Sequence, residues 1–86
     1  MTAVYRIADR RLEIAALYPD VHALCADYRS EGAAEFSVRT TQADIDFERA
    51  KSAREEEKKG VPARQFSDGY LETLAVYRKI AEKMPE

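Results

Sequence analysis

His22 and Cys25 stand three residues apart, the one pairing in this chain that could give a base beside a nucleophile. On a helix that spacing places them within one turn. A reactive thiol needs an exposed, electropositive setting. Cys25 instead falls on an apolar stripe, where a free thiol behaves as a small buried hydrophobe. His22 lies off that stripe and is expected to face solvent or a rim. It is the only histidine, and scattered carboxylates do not complete any metal-ligand spacing around it.

Carboxylates are the next candidates. Asp44, Asp46 and Glu48 form one group and Glu55, Glu56 and Glu57 another. General acid–base chemistry needs two carboxyl groups in different electrostatic settings within a cleft. The second group is interleaved with Arg54, Lys58 and Lys59, which sets Glu55 and Lys59 at i, i+4 and reads as a solvated helix. Three glycines, Gly32, Gly60 and Gly69, are too dispersed for a phosphate-cradling loop, and neither GxGxxG nor GxxxxGK[ST] occurs. No catalytic, cofactor-binding or metal-binding residue is assigned, and no cofactor is expected.

The remaining chemistry-bearing side chains are aromatic. Five Tyr and three Phe are many rings for 86 residues, and Tyr is favoured both in small cores and at interfaces. Phe47, Tyr70, Leu74 and Tyr77 are the expected contact residues.

These residues must be held by a small fold. Eighty-six residues bound the chain at one domain, spanning 1–86. Val4–Ala8 and Arg11–Ala15 alternate with period two and read as a strand pair, though the Asp9–Arg10 link lacks the Gly of a tight hairpin. Pro19 suits a first helical turn, and Val21, Leu24, Cys25 and Tyr28 follow as an apolar stripe. Gly32 would close that helix, and Glu35–Thr40 reads as a third strand. Thr41 opens a second helix with Asp44 three residues on, and Ala43, Phe47 and Ala50 give it a narrow apolar stripe. Gly60 and Pro62 end it. Ser67 or Asp68 caps a last helix that Pro85 stops; its stripe is Tyr70, Leu74, Tyr77, Ala81 and Met84, widened by Leu71 and Ile80. The expected fold is α+β, β-β-α-β-α-α, a small sheet of about three strands covered by three helices.

Charge and hydropathy narrow the partners. Fourteen Lys+Arg against 16 Asp+Glu leave a net charge of −2, without the basic bias that nucleic acid selects. No apolar run approaches the ~20 residues of a membrane helix. Charges at Arg6, Asp9, Arg10, Arg11 and Glu13 break any signal-peptide core, and one cysteine permits no internal disulfide. A cytoplasmic protein without membrane or nucleic-acid partners is expected.

Four segments, YRIADRRLEI, LCADYRSEG, TTQADIDFERAKS and FSDGYLETLAVYRKIAEKM, resemble in this order the N-terminal region of bacterial proteins related to HPr kinase and ATP-dependent phosphoenolpyruvate carboxykinase. In those proteins the segment like Tyr70–Met84 leads into a strand and a GTGKST-type phosphate loop. Everything that binds ATP there lies beyond the equivalent of Glu86, so no catalytic residue carries over. The resemblance implies a non-catalytic N-terminal accessory module, partnered by a nucleotide-binding kinase-like domain whose whole protein is a phosphotransferase. The rival expectation is a stand-alone interaction protein that pairs with itself as a homodimer.

Overall fold

In the computed structural model, residues 1–60 and 66–84 are described. The expectations for Pro62 and Pro85 lie outside these residues. Strands β1 (Thr2–Ile7) and β2 (Arg10–Ala15) pair antiparallel, with Tyr5 opposite Leu12. The hairpin turns on Ala8 and Asp9, both left-handed at φ 52° and 63°. That conformation matches strand twist in two-residue loops and normally selects Gly or Asn. Here it is met without glycine.

The chain then crosses to β3 (Phe36–Arg39), which pairs parallel to β2 with Val38 beside Ile14. The order is β1-β2-β3, a mixed sheet with β2 at its centre. The alternation in β1, β2 and β3 sends Tyr5, Leu12, Ile14 and Val38 into the core, while Arg6, Arg11 and Arg39 stay exposed on the other face.

The crossover holds α1 (Asp20–Leu24), a single turn, followed by a short 3-10 helix at Ala26–Tyr28. The expected four-residue stripe is thereby corrected. Val21 and Cys25 are buried, but Leu24 is 62% and Tyr28 55% exposed. The break after Leu24 changes the helical phase, so only the i, i+4 pair still faces inward. Gly32 is left-handed at φ 104°, yet it lies in the loop before β3, beyond the helical residues.

Helix α2 (Gln42–Lys59) opens at Thr41 as expected, and Asp44 completes a capping box with it. The Asp44 carboxylate accepts from the Thr41 N–H at 2.8 Å and from its hydroxyl at 3.1 Å. Its C-cap is Gly60 at φ 71°. Its inward face is not the expected one. Ala43, Phe47 and Ala50 are exposed, whereas Ile45 and Glu48 are buried. Charged partners on the neighbouring helix decide the matter: Arg78 Nε donates to Glu48 at 2.8 Å and Lys79 reaches Asp44 at 3.3 Å. Pairing draws a polar face inward that hydropathy alone assigns to solvent.

Helix α3 (Asp68–Lys83) is capped by Ser67, whose Oγ accepts from the Tyr70 N–H at 3.2 Å. It packs against α1, α2 and β3 and so joins the layers; α2 packs chiefly on α3 rather than on the sheet. Leu71, Glu72, Thr73, Ala75 and Val76 are buried, and Ile80 packs on the core. At 100° per residue, Tyr70, Leu74, Tyr77 and Ala81 cluster on the opposite side. The central residues of the stripe read from the sequence are therefore on the outward side, while Leu71 and Ile80, which widened it, turn to the core. Gly69 lies against the Asp20 carboxylate, so that a Cβ there would displace that side chain.

Candidate functional site

The outward side of α3 is built by the same local rules as its core side. Hydrophobic residues fill the helix on both faces, and a helix apolar on both faces ordinarily has neighbours on both. Tyr70 is 46% and Tyr77 48% exposed. Between Tyr70 and α1 runs a groove of about 410 Å³, lined by Pro19, Asp20, Ala23, Leu24, Tyr70 and Thr73. On its other flank Tyr70 stacks on Phe66, ring centres 4.9 Å apart, beside the α2 residues Ser52 and Glu55.

The four expected contact residues separate under this geometry. Tyr70 and Tyr77 share the outward face. Leu74 is half-buried and leans into the seam with α2, lining clefts with Ser52 and Glu55. Phe47 is 53% exposed and lies under the Arg78 guanidinium, 4.8 Å from its ring centre. Leu24, which the sequence placed in the core, joins Tyr70 instead.

The candidate nucleophile and base are also placed apart in role. His22 is half-buried and lines a cleft, a rim position as expected. Its Nδ1 lies 2.5 Å from the Tyr5 hydroxyl and its Nε2 3.2 Å from the Met1 carbonyl. The tautomer that suits both accepts from Tyr5 and donates to Met1. Both nitrogens are thus engaged by groups other than Cys25. Burial raises the Cys25 thiol above its usual value, which keeps it in the unreactive neutral form.

Of the carboxyl groups, Glu72 is the one sequence reasoning passed over. It is buried at 1% exposure and both its oxygens accept, from the Leu17 N–H at 2.7 Å, the Tyr18 N–H at 2.8 Å and the Thr40 hydroxyl at 2.6 Å. A lone acid amid the apolar face of α3 was the available signal. It ties α3 to the chain leaving β2 and to the end of β3. Asp68 accepts from Arg49 and from the Tyr18 hydroxyl. The Arg49 hydrogen bond holds the Asp68 carboxyl below its ordinary value, and the bond to Asp68 raises Tyr18. These acids act as structural ties. Among the described residues no group of three or more His, Cys, Asp or Glu side chains could hold a metal ion, and no helix is long and apolar enough to cross a membrane.

Comparison with known protein families, curated proteins and solved structures finds no match for this chain.

Proposed function

We propose that this chain is a non-catalytic protein-interaction module that docks on a folded partner through the outward face of α3. One observation carries the reading: Tyr70 and Tyr77 stand half-exposed on a helix whose opposite face already fills the core, and the Leu24–Tyr70 groove that Tyr70 lines is almost wholly apolar. Aromatic residues beside an apolar groove are the anchors that interfaces favour. The partner class rests on the four-segment resemblance: the nucleotide-binding domain of an HPr kinase-like protein, in the cytoplasm, with this module in the accessory position. The partner then supplies the phosphoryl chemistry, and this chain supplies surface.

The test is a titration of the isotope-labelled chain with a purified nucleotide-binding domain of that kind. Saturable shifts are expected at Ala23, Leu24, Tyr70 and Tyr77. The double variant Tyr70→Ser/Tyr77→Ser should weaken binding about tenfold or more, roughly 1.4 kcal/mol, with its melting temperature little changed. If the domain does not bind and sedimentation instead shows a dimer dissolved by the same double variant, self-association replaces this reading. If neither complex forms, the proposed docking role is wrong.

A further inference from the structure

A second site lies on the other flank of α1, and it shares no lining residue with the Leu24–Tyr70 groove. It is a cleft of about 370 Å³, within the size range of small-ligand pockets. Met1 with Thr2, Ala3 and Tyr5 of β1 lines one part, and His22, Ala26 and Arg29 of the crossover line the rest.

Arg29 is delivered there by backbone pairing. It bridges Tyr5 across the outer edge of β1, and the Ser30 N–H donates to the Val4 carbonyl at 3.0 Å. Its guanidinium is near enough to favour the ionised form of the Tyr5 hydroxyl, but burial and the nearby Cys25 outweigh it and raise that hydroxyl overall. The cleft therefore keeps a neutral O–H and no negative charge.

Two contrasts mark the place out. Arg6, Arg10, Arg49 and Arg78 each face a carboxylate, whereas Arg11, Arg29, Arg39 and Arg54 have no ion pair or hydrogen bond to their side chains among the described residues, and of these four only Arg29 lines a described cleft. No residue lining this cleft is acidic, while Asp20, Glu48 or Glu55 borders the other described clefts. In a chain of net charge −2, an acid-free hollow beside an unpaired guanidinium attracts anions selectively. The planar donor fork of Arg matches an oxyanion in two parallel bonds.

We propose that the Tyr5–His22–Arg29 cleft binds a small oxyanion, a carboxylate or phosphate group, held by Arg29, with the rest of the ligand against Ala3 and Ala26. This site stands independently of the docking face.

The isotope-labelled full chain is titrated with sodium phosphate, sodium acetate and, at matched ionic strength, sodium chloride. Saturable shifts at Ala3, Tyr5, His22, Ala26 and Arg29, at roughly millimolar affinity, are expected from an oxyanion and not from chloride. Saturation by acetate alone assigns a carboxylate ligand, by phosphate alone a phosphate ligand, and by both the shared chemistry. Arg29→Gln should abolish saturation, Arg29→Lys should retain part of it, and Ala26→Glu should block it by placing a carboxylate in the cleft. Both Arg29 and Ala26 are exposed, so melting should change little. Shifts that chloride reproduces, or that neither Arg29→Gln nor Ala26→Glu alters, overturn the proposal.

Discussion

At the scale of single residues, this fold depends on a few polar groups placed where hydrophobicity gives no guidance. Removing the Glu72 side chain strands two backbone N–H groups and leaves the Thr40 hydroxyl only its longer bond to the Ala15 carbonyl, 3.4 Å, and unsatisfied buried donors cost about 1–3 kcal/mol each. Glu72→Ala should therefore lower unfolding free energy by about 2–4 kcal/mol in urea titrations, and Glu72→Gln by less, since an amide keeps one acceptor. Equal losses from the two would show that the hydrogen bonds are not what matters. Ala8 gives the opposite sign. It holds a left-handed backbone at φ 52°, which costs an ordinary residue roughly 1–2 kcal/mol. Ala8→Gly should relieve part of this and raise stability by up to about 1 kcal/mol, less the extra freedom of glycine in the unfolded chain.

Asp44 makes an acid-side prediction. Burial pushes its carboxyl up, but hydrogen bonds from Thr41 and Lys79 and the Lys79 charge more than offset this and leave it lowered. A depressed folded value means the stabilisation is present above the unfolded value, about 3.9, and is lost as pH falls through the folded one. Denaturant midpoints should therefore decline below about pH 4, and Asp44→Asn should flatten that decline. An unchanged pH profile in Asp44→Asn would remove Asp44 as its source.

At the scale of elements, α2 is the informative case. Its apolar residues Ala43, Phe47 and Ala50 face water, and its buried residues are Ile45 and Glu48. Ile45→Ala should cost about 2–4 kcal/mol, as for other fully buried aliphatic side chains, and Phe47→Ala no more than about 1 kcal/mol. The reverse ranking would mean that the helix is turned about its axis. A double-mutant cycle on Glu48 and Arg78 should show coupling, because Glu48 is buried and Arg78 is its partner at 2.8 Å. Toward its C-terminal end α2 carries Arg54, Glu55, Glu57, Lys58 and Lys59 exposed. Its amides from Arg54 onward should exchange with solvent faster than those around Ile45.

At the scale of the whole molecule, α3 organises the fold by touching both other helices and the sheet edge β3. That position leaves it two apolar sides, one in the core and one outward, and the outward side is where a partner is proposed to sit. The oxyanion cleft is built the other way, by a strand edge receiving Arg29 from the end of the crossover. Because α1 separates the two places, Tyr70→Ser/Tyr77→Ser should leave anion titration unchanged, and Arg29→Gln should leave partner binding unchanged. Cross-effects in either direction would show that α1 couples them.

By itself the sequence determined the element order, the α+β class, the period-two strands and the caps at Thr41 and Gly60, and narrowed the last cap to Ser67 or Asp68, because each depends on residues only a few positions apart. It did not determine which helix faces turn inward. On α1 a phase break exposed Leu24; on α2 the pairing of Glu48 and Asp44 with Arg78 and Lys79 outweighed a weak apolar stripe. On α3 both sides were apolar, so hydropathy could not choose between them. Those choices, and the meeting of Tyr5, His22 and Arg29, belong to tertiary structure, because each is set by contacts between elements distant in the chain.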